Sequence, residues 1–296
     1  MRKNEKVILG VRVDFLSTQQ VLSDIQNKLL KDGKTHYICT TNPEFVMEAQ
    51  ENSEFRKIIN SSDISIPDGV GLLFAGKYLD KVSTLHKGTF LPIVALVEGI
   101  KVGLLSGNEK LGDRVAGVDI ADEVCKLSHK KGYSIFFLGG WPKNILGNPV
   151  QSPDYDLASL AAQKIKKKYP NVNIVGSSSQ FSHKKRDDKK TLKYIKRCMK
   201  EKGVKELDFL FVAYGQPKQE KWIVRNKDKI PAKISVGLGG TFDFFTGTTY
   251  RCPKIIRKIN LEWLFRLAQQ PWRLLRVFRV FPIFPIKVYI ESLRIQ

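Results

Sequence analysis

The chain has 296 residues, 42% of them hydrophobic and 10% aromatic. That is enough to build a sizeable core without a disulfide or metal staple, and too apolar for a disordered polymer. Fifty basic against 29 acidic residues give a formal charge of +21, which favours an anionic partner: nucleic acid, an acidic membrane surface or a phosphorylated substrate. Cys39, Cys125, Cys198 and Cys252 form no Cys-x-x-Cys pair, which fits reduced thiols and not a disulfide framework or zinc ribbon. The four histidines (His36, His86, His129, His183) show no zinc-hydrolase spacing, so a zinc hydrolase is disfavoured. The N-terminal apolar run is too short for a secretory signal, and no window reaches the roughly 18 apolar residues of a spanning helix. The chain is therefore expected in the cytoplasm, on a membrane face but not through it.

Short β-rich runs alternate with amphipathic stretches. KVILGVRVDF reads as one or two strands, and Ser17–Leu30 as a helix with Leu22, Ile25 and Leu29 on one face. HYICTT (36–41) is a strand that Asn42-Pro43 ends, with Pro43 as the first residue of a helix continuing to Asn60. A short strand ends at Pro67-Asp68-Gly69, and 71–79 predicts another helix. Residues 83–110 are apolar but punctuated by glycine, and 141–156 are rich in Pro, Gly and Asn; both read as loops or insertions. Four compact apolar runs follow from residue 133 to residue 240, each ending in Gly or Ser and separated by helical segments. Strands apolar on both faces, alternating with helices, predict an α/β fold: a Rossmann-like, mostly parallel sheet with flanking helices. From Arg251 the composition shifts to ten Lys or Arg against two Glu, interleaved with Trp and Phe. This predicts two parts, a core over 1–250 and a basic C-terminal helical appendage over 251–296.

Ligands of open α/β sheets bind at the carboxyl ends of strands, where backbone N–H groups suit phosphate oxygens. Three such ends carry glycine: Gly139-Gly140, Gly215-Gln216-Pro217 and Gly237 to Gly240. These glycines make tight turns or approach a phosphate ligand; none belongs to a dinucleotide or P-loop fingerprint. Asp68 before Gly69 is either a turn former or a general base beside Thr40 and Asn42. Asp154-Tyr155-Asp156 has the spacing of a metal-holding Asp-x-Asp, but lies in an apparent loop with no strand before it. The tail's basic and aromatic residues suit an anionic membrane interface, with nucleic-acid binding or simple docking on the core as alternatives. The basic cluster Lys184–Lys205 reads as a solvated helix face.

In order along the chain, TTNPEFVMEAQ, IPDGVGLLFAGKYL, RVAGVDIAD, FFLGG, FVAYGQPKQEKW and VGLGGTFDFFTGTTYRCPKIIRKINLEWLFRLAQQPWRLLR resemble the WecG/TagA/CpsF glycosyltransferases, glycosyltransferase family 26. The resemblance covers roughly residues 5–280 and is most specific at GQPKQEKW and in the segment from Phe242 to Arg273. It implies a metal-independent, inverting transferase needing no cofactor. The donor it implies is a UDP-sugar, UDP-N-acetylmannosamine in typical members and a glucose donor in others. The acceptor is a polyprenyl-diphosphate-linked N-acetylglucosamine at the inner face of the cell membrane, in teichoic acid or related polysaccharide synthesis. The implied catalytic aspartate falls on Asp68, its neighbours on Thr40 and Asn42, the motif glutamine on Gln216, and the appendage arginines on Arg266, Arg273 and Arg276. Gly139, Gly140, Gly215 and Gly239 are the expected donor contacts. The chain departs from the pattern in its extra residues over 83–110 and 144–154. A homo-oligomer is compatible with this reading. The rival classes are a nucleic-acid-binding module and an inactive polyprenyl-lipid scaffold.

Overall fold

A computed structural model describes residues 4–86, 88–105, 115–144, 146–150, 155–258 and 260–294. Strands β1 (Glu5–Ile8) and β2 (Val11–Asp14) pair antiparallel as a separate hairpin. Helix α1 (Thr18–Asp24) starts in a capping box between Ser17 and Gln20 and runs on through one wide π turn, Ile25–Leu29. Then come β3 (His36–Thr41), α2 (Pro43–Glu51), α3 (Ser53–Asn60), β4 (Ile64–Pro67), α4 (Val70–Ser83), α5 (Leu91–Leu105) and α6 (Gly117–Lys131). The middle of the chain forms β5 (Ser134–Gly139), α7 (Leu157–Lys168), β6 (Asn173–Ser178), α8 (Lys185–Glu201), β7 (Leu207–Ala213), α9 (Lys218–Asn226) and β8 (Ala232–Gly237). Five short helices close it: α10 (Thr241–Thr246), α11 (Lys254–Lys258), α12 (Glu262–Gln269), α13 (Leu274–Val280) and α14 (Ile283–Arg294).

Six strands form one all-parallel sheet in the order β4-β3-β8-β7-β5-β6. The strand pleat sorts side chains to two faces. Ile38, Phe137, Phe209, Phe211 and Val236 face a core with α1, α6, α7 and α10. Tyr37, Cys39, Phe136, Leu138 and Leu210 face another with α3, α8 and α9. This is the Rossmann-like α/β architecture. After β5 the chain goes outward to β6, and after β7 it turns back to β8, so the carboxyl ends of β5 and β7 flank a topological switch point.

Two expectations are corrected. The helix predicted from Pro43 to Asn60 breaks at Asn52, whose side chain accepts from the N–H of Phe55 and starts α3. The stretch 83–110 is not a loop over its described length. Residues 91–105 form α5, which packs against α4 and α14. Gly99 packs closely within it, since a Cβ there would stand 3.4 Å from the Tyr78 ring, whereas one at Gly103 would meet nothing within 4 Å. Arg114 and Asp154 lie outside the described residues.

Candidate active site

Asp68 and Asn42 leave the sheet at the ends of neighbouring strands. Parallel pairing sets Thr41 of β3 beside Pro67 of β4, and the Asp68 N–H donates to the Thr41 carbonyl at 2.6 Å. Gly69, at φ +132°, then swings the chain into α4, a conformation an L side chain rarely adopts. Asn42 caps α2 by accepting from the N–H of Phe45 at 3.0 Å. Both residues line a cleft of about 740 Å³. Its polar end holds Asn42, Glu44, Asp68, Glu262, Arg266 and Arg273. The rest is an apolar arm between α4, α5, α13 and α14, with Phe74, Tyr78, Ile100, Val280, Phe281 and Phe284 in its wall.

Pro271 ends α12, yet the short 3-10 turn Pro271–Arg273 brings Arg273 back beside Arg266. Both guanidinium groups lie within electrostatic reach of Asp68. Burial pulls the pKa of each below its ordinary value, and the like charge of Arg266 adds to this at Arg273. Guanidinium keeps its proton at neutral pH, so the effect reads as a buried cationic site that an anion would relieve. Arg266 lies over the Phe244 ring at 5.1 Å, and its Nε is buried without a hydrogen-bond partner among the described residues. Arg276 ion-pairs with Glu44, which Arg273 also approaches at 3.4 Å.

Gln216 donates to the same Glu44 at 3.2 Å, so the β7 loop is tied to the appendage through one carboxylate. Sequence reading missed Glu44. The available signal was an acid in the first turn of a helix that opens at a strand end. It also missed Lys143, which stands near Asp243, Arg266, Arg273 and Arg276 on the loop after β5. Burial lowers its pKa, Asp243 opposes that, and the three arginines lower it further. In this loop the Asn144 N–H donates to the Asn148 carbonyl and the Asn148 N–H to Oδ1 of Asn144, and the loop packs against Trp272 so closely that a Cβ at Gly147 would meet the indole at 2.2 Å.

The expected donor glycines gather at the same sheet edge but do not line the cleft. The N–H groups of Gly215 and Gly239 both donate to Oε1 of Gln219, at 3.0 and 2.9 Å. Those two amides are therefore already engaged, and the turns offer a ligand their surfaces and not these donors. Gly139 and Gly140 take φ of +82° and +84°, and a Cβ at Gly139 would sit 2.7 Å from the Tyr214 ring. Thr40 is 6% exposed and donates its hydroxyl to the Gly237 carbonyl at 2.8 Å. It clamps β3 to β8 and does not line the cleft. Asp156, from the Asp-x-Asp stretch, caps α7 and accepts from the Ser159 and Ser179 N–H groups. Among the described residues, no three His, Cys, Asp or Glu gather to hold a metal ion, and no helix is long and apolar enough to cross a membrane.

The model of the WecG/TagA/CpsF glycosyl transferase family matches residues 6–91 and 93–296. The chain belongs to the WecG/TagA/CpsF family. It is a glycosyltransferase. Among curated relatives, an N-acetylglucosaminyldiphosphoundecaprenol N-acetyl-beta-D-mannosaminyltransferase of Bacillus subtilis is 29% identical over 80% of this chain and 72% of its own length. Enzymes with the same name from Bacillus spizizenii and Staphylococcus aureus are 25% and 24% identical, over 88% and 90% of this chain and 84% and 85% of theirs. Within the WecG/TagA/CpsF frame, the cleft joins a strand-end carboxylate from the sheet to arginines from the C-terminal helices.

Proposed function

We propose that the chain transfers a sugar, N-acetylmannosamine in the first instance, from a UDP-sugar to a polyprenyl-diphosphate-linked N-acetylglucosamine in cell-surface polysaccharide or teichoic acid synthesis. The single observation that carries this reading is the cleft's two-part lining: a carboxylate among arginines at one end, continuous with an apolar arm. A sugar-diphosphate on a hydrocarbon chain has that same polarity along its length. The relatives' names supply the sugar identities.

In this reading Asp68 accepts the proton of the acceptor hydroxyl as its oxygen attacks the anomeric carbon. The bond from that carbon to the UDP oxygen breaks on the opposite face, so the configuration inverts. Negative charge grows on the departing diphosphate, and fixed cations in a partly dry site stabilise it with little reorganisation. Arg266, Arg273 and Arg276 hold diphosphate oxygens; Asn42 orients the acceptor; Gln216 and the turns at Gly139, Gly140, Gly215 and Gly239 shape the donor side. Thr40 acts through the β3–β8 clamp that sets the height of Asn42. Residues 1–250 supply the base and donor side, and 251–296 the phosphate contacts and attachment to the inner membrane face.

The test is UDP release over a panel of UDP-sugars with a short-chain polyprenyl-diphosphate-N-acetylglucosamine acceptor. One UDP-sugar releases UDP only when the acceptor is present, and Asp68→Asn lowers that rate by about 10²–10⁴-fold with an unchanged circular dichroism spectrum. Turnover retained by Asp68→Asn removes this base from the mechanism. Release with a UDP-glucose donor alone would move the reading to a hexose transferase of the same family.

A further inference from the structure

Helix α5 is apolar apart from Glu98 and Lys101, which ion-pair with each other at 2.7 Å, and its sides have different neighbours. Ala95 and Val102, seven apart, are buried in the core with Tyr78, Phe284 and Val288. Leu96, Gly99, Ile100 and Gly103, at helical spacings of three and four, line the cleft's apolar arm. Phe90, just ahead of the helix, continues at the same spacing with Ile93, Val94 and Val97, and these four are 73, 62, 41 and 43% exposed. The exposed surface carries on across the cleft mouth. Leu275, Phe278 and Phe281 are 74, 60 and 63% exposed, and Ile286 of α14 is 51% exposed. Helix α14 packs against both α5 and α13, so these side chains border one opening. Exposed apolar patches of this kind mark interaction sites. At about 1.5 Å per residue α5 is roughly 22 Å long, short of the ~30 Å hydrocarbon core.

We propose that α5 is an interfacial helix: its Phe90–Val97 stripe seats, with α13 and α14, in the headgroup–acyl boundary of an anionic phospholipid bilayer. Charge selects this occupant over a protein partner. Arg279 and Arg294 are exposed beside the patch and Lys287 is half-exposed, in a chain of formal charge +21. A basic rim around a face of aliphatic and phenyl groups suits acidic headgroups above acyl chains. The arm of the cleft is rimmed by Leu96, Ile100, Phe281 and Ile286, all more than half exposed, so it opens onto that same face. Seated this way, the opening meets the bilayer at the depth where a lipid chain leaves it. The inference deepens the reading of the cleft as a lipid-acceptor site, but its test needs no turnover.

All four native cysteines are buried, so a new surface thiol takes an environment-sensitive fluorophore selectively. The label goes on Ile93→Cys, on Val97→Cys, and on Lys130→Cys at the exposed end of α6 as reference. With phosphatidylglycerol–phosphatidylcholine vesicles the first two emit at shorter wavelength and the third is unchanged. The triple variant Phe90→Ser, Ile93→Ser, Val97→Ser sediments with these vesicles about tenfold more weakly. Its UDP release with a short-chain acceptor in detergent is unaltered, which shows that it folds. No shift at 93 and 97, or an equal shift at 130, overturns the proposal. Asp68→Asn binds vesicles like the parent chain, so a failed transfer assay with positive labels sinks the enzymatic reading alone.

Discussion

Glu220 is 1% exposed, and one of its oxygens accepts from Nε2 of Gln219 at 2.7 Å. Its other oxygen is buried without a hydrogen-bond partner among the described residues. Burial pushes its pKa from an ordinary 4.5 up to about 7, with the Gln219 hydrogen bond opposing. The sign of the effect on stability follows from proton counting. Below 4.5 the folded and unfolded chains both hold this proton, and nothing is lost. Between 4.5 and about 7 the unfolded chain releases it while the folded chain keeps it, so stability falls as pH rises. Above 7 the full cost stands, roughly 3 kcal/mol at about 1.4 kcal/mol per tenfold. Glu220→Gln keeps the shape and the acceptor for Gln219, and its amide replaces a protonated acid that also carries a buried donor. The variant should therefore melt like the parent near pH 4.5 and higher at pH 8. For a chain of 296 residues the gain is about 5 °C. Melting followed by circular dichroism across this range isolates the residue, because every other titrating group is common to both proteins. Equal melting temperatures at pH 8 would refute the burial argument.

Gly139→Ala places a methyl 2.7 Å from the Tyr214 ring at φ +82° and should cost about 1–3 kcal/mol, read as a lower urea midpoint. Lys143→Gln removes one cation from the group with Arg266, Arg273 and Arg276; KM for a diphosphate substrate should rise several-fold with kcat nearly constant, seen in steady-state UDP release. Arg266→Lys keeps charge but loses the planar fork stacked on Phe244, and should lower kcat/KM by about tenfold or more without changing the melting curve.

The strand runs were legible because a parallel sheet buried on both faces demands unbroken apolar stretches ending in turn residues, and HYICTT and SIFFLG have that form. Asn42-Pro43 announced a helix start for the same local reason. Helix α5 was not legible, since its two charged residues, Glu98 and Lys101, are too few to create a helical period and its glycines imitate loop punctuation. Two kinds of site feature escaped as well. The contacts of Lys143 and Glu44 join segments distant in the chain, which no local pattern encodes. The hydroxyl of Thr40 and the amides of Gly215 and Gly239 look available in a sequence, and only tertiary pairing shows that Gly237 and Gln219 take them.

The hairpin β1–β2 is made well before α14 during synthesis, yet they meet: the Leu9 N–H donates to Glu291 at 2.8 Å, and Ile8, Val11 and Val13 share a core with Phe284 and Val288. A nascent chain that has not yet released α14 lacks this wall, so its hairpin and the inner surface of α4 face water until that helix is made. Holdase chaperones recognise such surfaces, and a premature stop shortly before Phe284 would yield an aggregating polypeptide and not merely a detached one.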